Sequence, residues 1–384
     1  MQSQKSIAIL VDWFLPGYKA GGPIRSCANI IAHLKNDFSF SVITADCDAN
    51  ETTPYQGIKS NTWNIRTEGT NVFYFSKTFS KYKNLKALLL NGSFQVWYMN
   101  SLFSVFFTLF PLIIARFNNV NAKLIVAPRG MLGDGALQIK PFKKKIFLFV
   151  SNTLGLYKNV VWHASTQLEK EEIQKHFGAN AIVEVALNLS EPSEILFKKR
   201  TKLEGKIKLV FFSRISIKKN LHLVFEFLKN INRVYKVDFD IYGLKEEESY
   251  WQQCENAIRQ LPSNITATYK GAIDNTQLKE ALSQYHFSIL PTMHENYGHS
   301  IVESWAAGCP VIISENTPWR NLEKEKCGWD ILLNNSNKFA EALNVATAMN
   351  QQTFNEWSTA CVEKAKLVMQ NNVAVDANRK LFAT

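Results

Sequence analysis

The feature that most constrains the fold is an alternation of short apolar runs with longer segments of helical period along the 384 residues. Apolar runs of strand length that alternate with amphipathic helices predict parallel βαβ units. In the first half, strands are predicted at Ser6–Trp13, Phe40–Ala45, Val72–Phe75, Val96–Met99, Leu124–Ala127 and Val160–Ala164. Helices are predicted between them at Pro23–Leu34, Leu85–Leu90, Leu102–Phe117, Phe142–Asn152 and Gln167–Phe177.

A polar segment, Ser190–Lys208, interrupts this pattern, and its proline and clustered charges suit a linker. The pattern then resumes, with strands predicted at Ile207–Phe212, Val237–Tyr242, Phe287–Leu290 and Val311–Ile313 and helices at Leu221–Ile231, Tyr250–Leu261, Gln277–Tyr285 and Ser300–Ala307. At about 100–200 residues per domain, the chain has room for two domains. We therefore expect an α/β protein of two Rossmann-like, doubly wound domains, 1–195 and 205–355, facing a central cleft. Ligands of such sheets bind beyond the carboxyl ends of the strands.

The net charge of +11 is unevenly distributed. Residues 1–190 contain 20 Lys and Arg against 11 Asp and Glu, a basic field that attracts nucleic acid, a membrane surface or a phosphorylated substrate. The six cysteines lack redox or zinc spacing, and the N-terminus lacks a signal-peptide pattern, so we expect a cytoplasmic protein. The apolar run Leu102–Ala115 is too short to span a membrane comfortably, and it contains Pro111, so we expect a buried helix.

Two glycines, Gly21 and Gly22, follow the first predicted strand and open a helix. Glycines at this position let the backbone approach a phosphate, which a helix N-terminus attracts. The pair also suits an ordinary structural turn. It is not a GxGxxG fingerprint, so it gives no support to a nicotinamide cofactor.

Two cations, Arg214 and Lys219, follow the predicted strand Ile207–Phe212 and precede a helix. A guanidinium fork and an ammonium at the carboxyl end of a strand suit a diphosphate. Taken alone, the motif would equally suit a solvated basic loop.

Two carboxylates, Glu295 and Glu303, follow the predicted strand Phe287–Leu290. Glu295 is expected on the loop, where it can accept hydrogen bonds from sugar hydroxyls, and Glu303 on the following helix, where it can do the same for a ribose. Gly298 permits a close approach, Ser300 is expected to cap the helix, and the amides between the glutamates can face phosphate. Paired carboxylates could also serve as acid and base in a hydrolase, but two phosphate-type cations nearby argue against that.

These motifs resemble glycosyltransferase family 4 in order and spacing. The resemblance is close over Tyr269–Leu322 and includes Tyr242-Gly243, Gly271 and Ala306–Ile312. It implies the GT-B fold, with an acceptor-side first domain, a nucleotide-sugar donor domain second, and a C-terminal helix at about 360–384 that packs back on the first domain. It also implies sugar transfer with retention of configuration and no metal ion or other cofactor.

The resemblance also implies residue roles. Arg214, Lys219 and Glu295 are the implied catalytic residues, the two cations holding the donor diphosphate and Glu295 the sugar. Glu303 would hold the ribose, and the remaining implied donor-binding residues are Gly21, Gly22, Gly271, Ile273, Asn296, Tyr297, Gly298, His299 and Ser300. Many relatives have Gly or Ser where this chain has Asn296.

Many relatives also have a histidine where this chain has Arg129, which we expect to contact the donor's sugar or phosphate instead. The surrounding run Pro128–Leu132 resembles bacterial members that build surface polysaccharides. The leading hypothesis is a retaining hexosyl-type transferase that uses a nucleoside diphosphate sugar and a lipid-linked or oligosaccharide acceptor in O-antigen, capsule or exopolysaccharide synthesis.

The basic, aromatic segment Lys140–Val150 suits contact with the inner face of the cytoplasmic membrane. Alternatively, its aromatic side chains pack inward and its lysines are simply solvated. Two other function classes stay open: a non-catalytic basic protein that binds membrane or nucleic acid, and a phosphorylase or epimerase of the same fold. No RNA-recognition or helix-turn-helix signature is present, so no nucleic-acid partner is expected.

Overall fold

A computed structural model describes residues 4–66, 69–138, 141–192, 195, 197–273 and 275–383. The chain forms two compact units. The first comprises Met1–Pro192 and Asn371–Thr384, so that the last segment of the chain belongs with the N-terminal part. The second comprises Ser193–Gln370.

Each unit contains one sheet, and its strands are parallel apart from one edge strand of the first sheet. Within the described residues the first sheet has the order β3-β4-β2-β1-β5-β6-β7-β8 and the second β11-β10-β9-β12-β13-β14. The strands are β1 (Lys5–Leu10), β2 (Phe38–Ala45), β3 (Trp63–Ile65), β4 (Asn71–Phe75), β5 (Val96–Met99), β6 (Lys123–Val126), β7 (Val161–Ala164), β8 (Val183–Val185), β9 (Lys206–Phe212), β10 (Lys236–Tyr242), β11 (Ile265–Gly271), β12 (Phe287–Leu290), β13 (Val311–Ser314) and β14 (Gly328–Ile331). The antiparallel strand is β3, which pairs with β4.

Helices connect these strands. They are α1 (Gly22–Leu34), α2 (Tyr82–Asn91), α3 (Phe110–Phe117), α4 (Asp134–Leu137), α5 (Pro141–Thr153), α6 (Gln167–Phe177), α7 (Leu221–Lys229), α8 (Glu248–Arg259), α9 (Asn275–Leu282), α10 (His299–Ala306), α11 (Ser336–Ala348), α12 (Gln351–Met369) and α13 (Asn372–Ala383). A π-helical turn, Val105–Leu109, leads into α3, and Leu112 and Ile114 are buried there, which confirms a buried helix in this apolar run. No helix in the described part of the chain is long and apolar enough to cross a membrane.

Both sheets carry helices on two faces, because successive strand residues point to opposite sides. In β1, Ile7 and Ile9 pack into one apolar cluster with α1 and α13, whereas Ala8 and Leu10 pack into another with α2, α3 and α6. In β9, Leu209 and Phe211 likewise join the cluster of α7 and α11, and Val210 joins that of α9. The prediction of two Rossmann-like α/β domains is confirmed.

The segment predicted as a linker contains two cations that pack into the second unit. Arg200 donates hydrogen bonds to carbonyl oxygens beyond the ends of α9 and α10 and to the Ser358 hydroxyl of α12 (3.0 Å). Lys202 is 2% exposed and donates to the carbonyl oxygens of Thr347 (2.8 Å) and Met349 (3.0 Å) at the end of α11. The boundary between the two units, after Pro192, lies within this predicted linker, but Arg200 and Lys202 pack into the second unit, where they donate to carbonyl groups at and beyond helix ends.

Replacing Arg200 tests this role. Arg200→Ala leaves several carbonyl oxygens without their charged donor, so we expect the free energy of unfolding to fall by about 2–4 kcal/mol. The adjacent, exposed Lys199→Ala should change it by no more than about 0.5 kcal/mol. Urea unfolding of both variants measures the difference, and equal losses would contradict the assignment.

Candidate active site

The second sheet has its topological switch point at β9 and β12. The chain leaves β9 for β10 and β11 on one side, and later builds β12, β13 and β14 on the other. Strands β9 and β12 pair directly, with Leu209 opposite Phe287 and Val210 opposite Ser288. In open parallel sheets, the crevice beyond the carboxyl ends of such a strand pair is where ligands bind.

The loops that follow β9 and β12 are tied together by hydrogen bonds. A single 3-10 turn, Ile217–Lys219, follows β9 and ends at Asn220, whose φ of 55° is left-handed. The Asn220 side-chain amide donates to the Pro291 carbonyl (2.9 Å), and the Met293 amide donates to the Lys218 carbonyl (2.8 Å). The two loops therefore form one connected surface at the edge of the sheet.

An ion pair between Lys219 and Glu295 links the same two loops. The two side chains are only 10% and 16% exposed. The Glu295 amide donates to the Asn316 carbonyl (2.8 Å), which fixes the loop after β12 against the loop after β13. Burial by itself raises the pKa of the Glu295 carboxyl, but the charge and hydrogen bond of Lys219 outweigh it and leave the pKa below its ordinary value. At neutral pH Glu295 is therefore a carboxylate that accepts hydrogen bonds and has no proton to donate.

Arg214 lies on the loop after β9, on the side of the sheet where β10 is the next strand. Its guanidinium forms an ion pair with Glu246 on the loop after β10, and its side chain is 43% exposed. The loops after β9 and β10 are joined by the Ile215 amide, which donates to the Leu244 carbonyl (2.8 Å).

A close backbone approach between these loops requires a glycine at position 243. A Cβ at Gly243 would lie 1.8 Å from the Ser213 carbonyl oxygen, so no larger residue fits there. The Gly243 amide donates in turn to the Gly271 carbonyl at the end of β11 (3.0 Å). Gly271, with Ile273 two residues beyond it, thus continues the same edge of the sheet, and Gly271 has a φ of 86°.

The N-terminus of α10 completes the second unit's site. Gly298 is its N-cap, in the left-handed region at φ 78°, with no side-chain cap hydrogen bond. The expectation that Ser300 caps the helix is wrong, because the helix already starts at His299 and the Ser300 carbonyl accepts from Ser304 (2.8 Å). Glu303 follows one turn later and is half-buried. An N-terminus without a side-chain cap presents backbone amides and a favourable dipole to an anion.

Two of the predicted residues in this loop have structural contacts. Tyr297 is buried, and its carbonyl accepts from the Trp319 indole (2.6 Å), which anchors the loop to the core. Asn296 contacts the His294 ring through its side-chain oxygen (2.6 Å).

In the first unit, Asn100 connects the predicted glycine turn with Arg129. Gly21 is the N-cap of α1, and a Cβ at either Gly21 or Gly22 would meet only open space. The Asn100 side chain donates to the Pro23 carbonyl at the start of α1 (3.2 Å), and it accepts from Arg129 Nε (2.7 Å). Asn100 directly follows β5, between the loops of β1 and β6.

Arg129 uses its guanidinium within a polar network. Besides Asn100, it donates to the Asn188 side chain and to the Tyr98 hydroxyl. Burial and the charge of Arg129 lower the pKa of His163 to about 3, so this ring is neutral. Its Nε2–H then donates to the Ala186 carbonyl and its Nδ1 accepts from Tyr98, both at 2.8 Å. The predicted donor contact of Arg129 stays a prediction, and three of its N–H groups already serve the fold.

The structure thus connects Arg214, Lys219, Gly271 and Glu295 through adjoining loops of the second unit, next to α10. Asn100, Glu246 and Asn188 were not predicted from the sequence. Asn100 carried a usable signal, because it follows the apolar run of β5 at the carboxyl edge. Glu246 stands in a polar segment and Asn188 between two leucines, and neither carried such a signal.

Solved structures share the fold. HepE of Anabaena, in complex with UDP and glucose, superposes with a TM-score of 0.72 at 13% identity, covering 98% of both chains. Sucrose-phosphate synthase from Thermosynechococcus elongatus gives a TM-score of 0.72 at 13% identity, covering 99% of this chain and 100% of its own. TarM of S. aureus, in a complex that includes UDP, gives 0.69 at 13% identity, covering 99% and 100%. The chain therefore has the GT-B fold.

Residues 192–366 match the family model described as glycosyl transferases group 1. The match covers the second unit, including β9, β12 and α10 with the residues described above. No protein with a curated description matches the sequence. The matched segment is less than half of the chain, and the family model describes what the second unit is similar to.

The acid dependence of stability tests the ion pair. Because the folded-state pKa of Glu295 lies below its ordinary 4.5, the pair stabilises the fold above pH 4.5, and this contribution is lost as pH falls through the folded-state pKa. Glu295→Gln should therefore lower the free energy of unfolding by about 1–3 kcal/mol at neutral pH, with a difference that shrinks in acid. Urea unfolding across this range measures it, with the exposed Glu323→Gln as control. A difference that does not change with pH would contradict the assignment.

Proposed function

We propose that this protein is a retaining glycosyltransferase that moves a hexose-type sugar from a nucleoside diphosphate sugar to a glycan acceptor. The observation that carries the proposal is the largely buried Lys219–Glu295 ion pair at the switch point of the second sheet. It sets a cation and a hydrogen-bond acceptor side by side where a parallel sheet binds its ligand. A nucleotide sugar needs both, since its diphosphate is anionic and its sugar carries hydroxyl donors.

The diphosphate binds to Arg214 and Lys219. Negative charge grows on the leaving phosphate as the bond to the sugar breaks, so cations fixed at that position stabilise the transition state more than the bound donor. Lys219 is held in advance by Glu295 and the 3-10 turn, which reduces the reorganisation required during reaction. These two cations take the charge-neutralising role, so we propose that the transfer needs no metal ion.

The carboxylate of Glu295 orients the sugar. Its lowered pKa keeps it ionised at neutral pH, so it accepts hydrogen bonds from sugar hydroxyls and is a poor general acid. In a hydrolase that used Glu295 and Glu303 as acid and base, Glu295 could therefore only be the base, and the two phosphate-type cations on the adjoining loop favour transfer from a nucleotide sugar instead. Glu303 accepts from the ribose, and the amides at the start of α10 face the phosphate and sugar.

Retention then follows without a protein nucleophile. The leaving phosphate, on the same face of the sugar as the incoming group, helps to deprotonate the acceptor hydroxyl. The nucleobase of the donor binds near Gly271 and Ile273. HepE was solved with UDP-glucose, which makes uridine nucleotides the first donors to test on this chain.

The acceptor is a lipid-linked or oligosaccharide glycan of a bacterial surface polysaccharide, bound on the first unit. Two observations support this: the basic charge of residues 1–190 and the resemblance of the Pro128–Leu132 run to bacterial family members that build surface polysaccharides. A lipid-linked acceptor would bring the protein to the inner face of the cytoplasmic membrane.

Kinetics of single variants test the proposal. Arg214→Ala and Lys219→Ala should each reduce turnover about 10²–10³-fold while changing donor affinity less, because their charge matters most in the transition state. The exposed Lys236→Ala, at the amino end of β10, is the control. Turnover is measured as release of nucleoside diphosphate from a panel of nucleotide sugars, with and without glycan acceptors.

Several results would refute this account. If both variants kept the turnover of the parent, the assigned roles would be wrong. If no nucleotide sugar were bound or cleaved, a non-catalytic binding protein would be favoured. A requirement for inorganic phosphate would favour a phosphorylase. Interconversion of the donor sugar in the absence of an acceptor would favour an epimerase.

A further inference from the structure

Helix α5 carries an apolar stripe on its solvent side. Its inner face consists of Lys144, Phe147, Leu148 and Ser151, spaced as one face of a helix. Lys144 belongs to this inner face because its ammonium donates to the Ala136 carbonyl (2.6 Å) and lies 5.4 Å from the centre of the Phe103 ring. The opposite face therefore points directly away from the first unit's core.

That outward face is made of large apolar side chains. Phe142, Ile146 and Phe149 recur at the helical spacing of one stripe, and Val150 lies beside them. They are 80%, 54%, 73% and 44% exposed. Aromatic side chains exposed to this degree on one helix face mark an interaction surface rather than scattered surface residues.

The charged residues of α5 itself are all lysines. Lys143 and Lys145 are exposed and flank the stripe on opposite sides. Lys143 follows Phe142 in the sequence, and Lys145 precedes Ile146. Between Asp134 and Glu169 the sequence contains five lysines and no acidic residue. Of the segment Lys140–Val150 singled out in the sequence, Lys140 lies outside the described residues. The alternative expectation, that the aromatic side chains of this segment pack inward, is wrong for Phe142 and Phe149.

We infer that this outward face of α5, with its apolar stripe and flanking lysines, docks on an anionic lipid surface. An apolar stripe with a lysine on each side is the arrangement in which the stripe enters the acyl boundary while the ammonium groups reach the headgroups. A second copy of the chain is a poorer occupant, because two such faces would bring the lysines of both copies together. The inference deepens the proposed function, on which it rests for its biological purpose: it would bring the first unit to a lipid-linked acceptor.

Two further exposed apolar side chains lie near the C-terminal end of α5. Leu154, immediately after α5, is 61% exposed. The end of α3 is fastened there, because Arg116 donates to the Leu154 carbonyl (2.6 Å). The next residue, Phe117, is 77% exposed. Exposed apolar side chains therefore also stand where α3 meets the end of α5.

Co-sedimentation with vesicles tests the inference. The full chain should bind vesicles of phosphatidylcholine with phosphatidylglycerol much more tightly than vesicles of phosphatidylcholine alone. Lys143→Glu with Lys145→Glu should weaken binding about twenty-fold or more at low salt and by less at high salt. Phe142→Ser with Phe149→Ser should weaken it about tenfold or more at both salt concentrations.

Two control pairs match these variants. Val234→Ser with Val373→Ser removes equally exposed apolar side chains elsewhere, and Lys236→Glu with Lys324→Glu makes the same charge change in the second unit. Both should bind vesicles as the parent does, apart from the small effect of net charge. Melting temperatures close to that of the parent establish that each α5 variant is folded.

Three results would overturn the inference: equal binding to neutral and anionic vesicles, binding of both α5 double variants at the strength of the parent, or a dimer in light scattering that the Phe142/Phe149 variant dissociates. The last would assign the face to a second copy of the chain. Vesicle binding needs no donor or acceptor, so failure of the proposed sugar transfer would appear separately, as absent nucleotide release with vesicle binding intact.

Discussion

The ion pair between Lys219 and Glu295 is the contact on which the candidate site depends. Its partners are 76 residues apart in the chain and meet only because β9 and β12 are neighbours in the sheet. Two nearly buried opposite charges stabilise each other, whereas either one alone would carry the full cost of desolvation. The pair therefore fixes the positions of both loops and keeps Glu295 ionised, which gives the site one cation and one acceptor at a defined place.

The two units use arginine in different ways. Arg214 is half exposed and shares its charge with Glu246, so a diphosphate can compete for it at little cost. Arg129 is committed to Asn100, Asn188 and Tyr98, and its charge helps to keep His163 neutral. An arginine at the edge of a sheet can thus pair with one carboxylate and stay partly exposed, or hold several loops together.

Much of the fold could be predicted from the sequence, because central strands of a parallel sheet are apolar on both faces. β5, β12 and α6 have the predicted bounds. The four described strands that were not predicted, β3, β8, β11 and β14, are the edges of the two sheets, where pairing on one side gives a weaker apolar signal.

The types of residue in the site could be predicted from the sequence. The contact of Lys219 with Glu295 could not, because local sequence patterns do not determine the order of strands in a sheet. Ser300 failed as a cap because Gly298, with positive φ, starts the helix earlier, and the outward direction of Phe149 depends on packing.

The central claim is that a nucleotide sugar binds at the carboxyl edge of the second sheet, with its diphosphate on the two cations. A crystal structure with an uncleaved nucleoside diphosphate sugar analogue tests this most directly. The account predicts the diphosphate within hydrogen-bond distance of Arg214 and Lys219, the sugar hydroxyls on Glu295 and the ribose on Glu303. A nucleotide bound elsewhere on the chain, or one whose phosphates contact neither cation, would contradict it.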